Sequence, residues 1–163
     1  MDLILDTASD WLMVESEDCE TCDGNKYDIG PNLESGTAVL RSDKSSERYY
    51  GQAKLIGKEY TDTVCTLFSV CVENFEFFLI EEAKGLKEPY DGILGLARNH
   101  PAHLSPEVDN LTGPLYVENL WKSEIISENK FSLHIGPPSE LSWVDLGKPV
   151  MSNIKTGTAL VEL

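Results

Sequence analysis

Apolar residues fall in short runs separated by small polar clusters along most of the chain. Leu3-Ile4-Leu5 is one such run; it breaks at Asp6-Thr7-Ala8-Ser9 and resumes at Trp11-Leu12-Met13-Val14. Uninterrupted apolar runs of this length, joined by short polar residues, predict two buried strands with a tight turn between them. Glu47 to Val64 has the form of a long hairpin, with Tyr49-Tyr50 on the way up, Gly51 supplying backbone freedom at the bend and Leu55-Ile56 on the return. Val70 to Ile80 alternates and then becomes continuously apolar, the pattern of a strand buried on both faces towards its finish.

Helical spacing enters after Pro114, where Val117 is followed by Leu120 and Trp121, and Trp121 by Ile125, all on one face of an amphipathic, core-facing helix. Phe131, Leu133 and Ile135 then alternate with Ser132 and His134, which predicts a half-buried strand with His134 on its polar side. Gly136-Pro137-Pro138 ends that strand, and Trp143 to Leu163 reads as short strands with Gly147 and Gly157 at turns. Glu15 to Leu33 and Arg98 to Thr112 are polar and rich in turn formers, so both read as surface loops. Repeats, linkers and low-complexity tracts are absent from the sequence.

The chain has 163 residues, 41% of them apolar and 9% aromatic, which is enough for one domain with a real core. It carries 28 acidic against 13 basic residues, a net charge of −15, and such a field repels nucleic acid and anionic membranes. The acidity fits work at low pH, where protonation relieves self-repulsion, and it equally fits a merely soluble surface. No apolar run reaches the length of a membrane span, and Met1-Asp2-Leu3 lacks the basic and apolar regions of a signal peptide.

Asp6 is the residue with the most chemical promise. A carboxylate at a turn after a buried strand, flanked by the hydroxyls of Thr7 and Ser9, has its protonation set by its neighbours and suits acid or base work. A turn Asp that merely bonds nearby N–H groups is the commoner explanation of such a residue taken alone. Four cysteines, Cys19, Cys22, Cys65 and Cys71, form two close pairs, pointing to two local disulfides among three possible connectivities. A redox pair at Cys19 and Cys22 lacks a βαβ setting, and the Cys65 to Cys71 spacing is too wide for a usual zinc knuckle. His100 and His103 have no third ligand beside them and read as solvated loop residues, so no metal is expected. Asn110-Leu111-Thr112 is a glycosylation sequon, which matters only in a secretory compartment.

Leu3 to Val14 resembles the active-site loop of the N-terminal lobe of pepsin-like aspartic proteases, which reads apolar-apolar-Asp-Thr-Gly-Ser followed by Leu-Trp-Val. Asp6, Thr7, Ser9, Leu12 and Val14 match it without a gap. Three more segments follow in the family's order. Tyr50-Gly51 with Gly57 and Asp62-Thr63-Val64 is similar to the flap hairpin; Tyr90-Asp91-Gly92-Ile93-Leu94-Gly95-Leu96-Ala97 is similar to the Phe-Asp-Gly-Ile-Leu-Gly-Leu segment; Val117 to Leu133 is similar to the helix and strand before the lobe junction.

The resemblance implies a mainly β fold: a single half of a bilobal acid protease, β-barrel-like, with a flap hairpin and short helices. Residues 1–163 are then an N-terminal lobe, shortened at both ends relative to the family. It implies an aspartic endopeptidase with Asp6 as one catalytic carboxylate, Thr7 and Ser9 supporting it, Tyr50 and Gly51 on the substrate-binding flap, and no cofactor. Ile93, Leu94 and Gly95 become core residues that pin the catalytic loop. Pairing of Cys19 with Cys22 and of Cys65 with Cys71 is favoured, as is a secretory, lysosomal or extracellular location. The implied partners are a peptide or protein substrate and a second catalytic lobe, either a C-terminal half or a homodimer mate, because the sequence holds no second Asp-Thr-Gly or Asp-Ser-Gly. An inactive pepsin-like fragment that still binds peptide is the alternative. Three departures bear on that choice: Ala8 replaces the loop glycine, Met13 replaces a tryptophan that supports the flap tyrosine in relatives, and Ala53 replaces a flap glycine.

Overall fold

The computed structural model describes residues 1–29, 36–50, 53–66, 70–85, 90–98 and 113–153. Gly51, His100, His103, Asn110 and Gly157 lie outside them. The described strands are β1 (Leu3–Asp6), β2 (Leu12–Glu15), β3 (Val39–Leu40), β4 (Ser46–Tyr50), β5 (Ala53–Thr66), β6 (Val70–Lys84), β7 (Gly92–Gly95), β8 (Phe131–His134) and β9 (Trp143–Leu146), with helix α1 (Tyr116–Lys122) between β7 and β8. The architecture is therefore mainly β, as the apolar runs predict.

Seven strands form one mixed sheet in the order β1-β7-β2-β6-β5-β3, with β4 also paired to β5. β8 and β9 make a separate antiparallel ribbon in which Phe131 faces Leu146 and His134 faces Trp143. Side chains alternate across a strand, so a strand covered on both faces must be apolar at every position. Leu12–Val14 of β2 and Phe77–Ile80 of β6 meet that condition. Trp11, Met13, Phe78 and Ile80 join Leu55, Ile93 and the Cys19–Cys22 pair in one cluster, while Leu12, Val14, Phe77 and Leu79 join Tyr60, Val72, Phe75 and Tyr116 in a second cluster on the opposite face. Each of these larger side chains contributes roughly 1.5–3 kcal/mol by leaving water.

Both cysteine pairs are closed as disulfides, Cys19 with Cys22 and Cys65 with Cys71. The first is buried against Trp11 and Phe78, and Ala83 N–H donates to Thr21 Oγ1 at 2.9 Å, fastening the loop to the end of β6. The second joins directly facing residues of β5 and β6. A thiol redox role for Cys19 and Cys22 is thereby displaced: the pair is closed and packed in the core.

Helix α1 departs from its sequence pattern. Its buried residues are Tyr116, Val117 and Leu120, with the Tyr116 ring edge-on to Phe75 at 5.4 Å, and Trp121 is 45% exposed rather than core-facing. The physical reason is length: the helix stops at Lys122, and Glu124 at φ 58° turns the chain back, so Ile125 reaches the second cluster from a turn rather than from the helical face. Trp121→Gln is accordingly expected to shift unfolding free energy by no more than about 0.5 kcal/mol. Leu120→Ala is expected to cost about 2–5 kcal/mol, both read from urea midpoints. The β8 alternation is likewise weaker than its sequence implies. Leu133 is 40% and Ile135 84% exposed, and His134 stacks on Trp143 with ring centroids 3.8 Å apart.

Candidate active site

β1 carries Asp6 at its last position, where the Asp6 backbone faces Gly95 across a parallel pairing. The turn that follows is held by the exit of β7. Leu96 N–H donates to the Asp6 carbonyl at 2.8 Å, Ala97 N–H to the Ser9 carbonyl at 2.8 Å and Gly95 N–H to the Trp11 carbonyl at 2.9 Å. One strand end thus fixes the loop before, within and after its bend. Gly95 permits this approach, since a Cβ built there meets Asp10 C at 2.4 Å and Ser9 O at 2.6 Å.

The Asp6 carboxylate accepts a hydrogen bond from Ala8 N–H at 2.9 Å. Sequence reasoning assigned the local donors to the hydroxyls of Thr7 and Ser9; the structure gives that bond to the intervening backbone. Thr7 is exposed, whereas Ser9 is buried with its hydroxyl towards Tyr50. Asp10, the next residue, is buried and accepts Gly113 N–H at 2.9 Å, tying the loop to the approach to α1.

The β4–β5 hairpin supplies the other side. Its register pairs Tyr50 with Ala53 and Tyr49 with Lys54, and Tyr50 packs on the cluster containing Trp11 and Met13. Trp11 and Met13 therefore share the face that Tyr50 covers. Burial pushes the Tyr50 hydroxyl up to about 12; the Ser9 hydroxyl opposes the rise, and the Asp10 and Asp6 carboxylates add to it. Tyr50 is therefore a neutral donor throughout the acid and neutral range, within the electrostatic reach of Asp6.

Two further acids show how differently the fold treats its carboxylates. Asp91 is buried, which alone would raise its pKa, yet N–H donors from the Asp2 and Asn25 backbones and the Asn25 side chain prevail and hold it below the usual carboxylate range. Glu15 is buried beside it with one bond, from Gly24 N–H at 2.8 Å, and burial pushes its carboxyl up. A carboxyl with a raised folded pKa weakens the fold while ionised, and that cost fades as pH falls towards its ordinary value of 4.5. Glu15→Gln should therefore raise the melting temperature at neutral pH, the gain shrinking to nothing as pH drops below the glutamate range; a pH-independent difference would contradict this.

A cavity of about 760 Å³ lies on the other face of the sheet, lined by Leu3, Leu5, Leu12, Val14 and Phe77 among others, and neither Asp6 nor Tyr50 borders it. Asp6 and this apolar space are thus on opposite sides of the sheet. Among the described residues, no three His, Cys, Asp or Glu side chains stand together as metal ligands, and no helix is long and apolar enough to cross a membrane.

Of the sequence-derived site, Asp6 and Ser9 act on Tyr50, Thr7 is exposed on the same turn, and Gly51 falls outside the described residues. Sequence reasoning missed Ala8 N–H, Asp10 and Arg48. Arg48 had a legible signal, since it shares a strand face with Tyr50 at a spacing of two. A family model described as eukaryotic aspartyl protease matches residues 1–160. A search of curated proteins found no match.

Proposed function

The chain belongs to the eukaryotic aspartyl protease family, and from that premise we propose that it is one lobe of an acid endopeptidase whose Asp6 supplies one carboxylate of a catalytic pair. The observation that carries this reading is the position of Asp6: at the end of β1, which is half-buried rather than the buried strand its apolar run predicts, on a loop held by β7 at three points, beneath a hairpin whose Tyr50 hydroxyl is affected by its charge.

Two carboxylates a few Å apart share one proton, because both cannot ionise cheaply. The ionised member takes a proton from a water, whose oxygen attacks the peptide carbonyl carbon, while the protonated member donates to the carbonyl oxygen. Collapse of the resulting gem-diol breaks the C–N bond as a proton is delivered to the leaving nitrogen, and the carboxylates exchange roles. Asp6 performs one part. A second lobe or a second copy of the chain, placed across a two-fold axis, performs the other. Thr7 and Ser9 line the Asp6 loop, Tyr50 closes over an extended peptide, and closure excludes water. The two disulfides support an oxidising, secretory-type compartment.

A second reading, a peptide-binding protein that does not cleave, is favoured by Ala8. Its side chain is on the exposed turn beside Asp6, where the motif carries glycine and an opposing loop would approach. The deciding experiment incubates the chain, alone and with a pepsin-like C-terminal lobe, with a mixed peptide substrate at about pH 4, where a carboxylate pair can keep one proton. Products are read by mass spectrometry and assembly by light scattering. Cleavage confined to the two-lobed species supports the endopeptidase; saturable binding without cleavage supports the second reading; neither would sink both.

A further inference from the structure

Arg48 is the one charged side chain of β4 that is buried, at 3% exposure, and it sits two residues before Tyr50. Its guanidinium carbon lies 4.9 Å from the Trp11 ring centre and 4.8 Å from that of Phe78, a cation placed against two aromatic rings. One terminal nitrogen pairs with Glu59 of β5 at 2.8 Å, the other donates to Ser46 Oγ at 3.1 Å and to the Glu47 carbonyl at 3.2 Å, and Nε is buried without a partner among the described residues. Trp11 belongs to the segment that carries Asp6, since its carbonyl accepts Gly95 N–H. The side chain therefore touches both the hairpin and the wall of the Asp6 loop.

A buried ion pair is seldom needed for stability, and an apolar residue of similar volume often serves as well or better. What the guanidinium adds is geometry: a flat group held by rings on one part of the fold and by a carboxylate on another admits one arrangement. We propose that Arg48 is a positioning residue that tethers the base of the β4–β5 hairpin to the Trp11 wall, so that the hairpin opens only beyond it and Tyr50 swings over Asp6 on a short arm. This rests on the reading of that hairpin as the substrate lid.

The test compares wild type, Arg48→Met and Arg48→Lys by amide hydrogen exchange. Methionine keeps the unbranched apolar stem and leaves Glu59, which is partly exposed, free to be solvated. In Arg48→Met the amides of Tyr49, Tyr50, Ala53 and Lys54 should exchange on the order of ten-fold faster, while those of Phe78 and Leu79 in the middle of the sheet change by less than about two-fold. Arg48→Lys retains a cation without the planar fork and should fall between. Unchanged exchange in the hairpin, or equal acceleration in hairpin and sheet centre, would overturn the tether, the latter by showing a purely structural role. Peptide affinity at acid pH is measured on the same three proteins. Local acceleration with no peptide binding even by wild type assembled with a pepsin-like C-terminal lobe would uphold the tether and instead defeat the acid peptidase assignment.

Discussion

Asp6→Asn is expected to lower acid peptide cleavage by the assembled two-lobed enzyme by about 10²–10⁴-fold, the share of rate that general acid–base catalysis supplies. Asparagine keeps the shape of the side chain and an oxygen able to accept Ala8 N–H, so the loop geometry should persist. It can neither take a proton from water nor return one to the leaving nitrogen. Asp6 is partly exposed and bonded by a single backbone donor, so the thermal midpoint should stay close to that of wild type. Peptide affinity should remain within a few-fold, because Tyr50 and the buried Trp11 and Met13 on which it packs are untouched. Initial rates, midpoints and peptide titrations on one preparation check all three expectations. Cleavage that survives the substitution would remove Asp6 from the chemistry.

Asp6 and Asp91 illustrate what the sequence can and cannot reveal. Both precede a small residue in an apolar setting, and only the resemblance assigns one to chemistry and the other to structure. The structure makes the distinction physical. Asp91 is spent on three N–H donors from distant parts of the chain, while among the described residues Asp6 retains an oxygen with no such claim on it. The runs that became β2 and β6 were legible because burial on both faces requires apolar residues without interruption, and Phe77 to Ile80 satisfies that unaided. The hairpin was legible from Tyr49-Tyr50 and Leu55-Ile56, apolar pairs on either side of a glycine-bearing bend.

Other features depend on contacts no local pattern encodes. The outward placement of Trp121 follows from the helix ending one residue later, a choice made at Glu124 by backbone conformation. The role of Asp10 follows from Gly113, more than a hundred residues away in sequence. The bond from Ala8 N–H to Asp6 was missed for a different reason. Hydroxyls advertise themselves as donors in a sequence, whereas every residue but proline offers an N–H, so the backbone donor carries no residue-specific mark.

Gly95→Ala is expected to injure stability and rate together, which separates loop placement from proton transfer. The added methyl would meet three backbone atoms of the Asp6 loop, Asp10 C, Ser9 O and Asp10 Cα, well inside van der Waals contact. None belongs to a flexible side chain that could turn aside, so either β7 or the loop must move. Overpacking of this kind costs about 1–3 kcal/mol, and for a chain of this size each kcal/mol lowers the midpoint by roughly 2–4 °C. The shift also disturbs the bonds from Gly95, Leu96 and Ala97 that hold the turn, and a displacement of about 1 Å at a reacting group can cost on the order of 10²-fold in rate. Asp6→Asn leaves the midpoint in place while rate collapses; Gly95→Ala moves both, and a second-site change that restores the midpoint without restoring the rate would show that the position of the loop, beyond its mere stability, sets catalysis. A Gly95→Ala protein with wild-type midpoint and wild-type rate would mean that β7 does not fix the Asp6 loop, and the support for Asp6 as a preorganised catalytic group would fail with it.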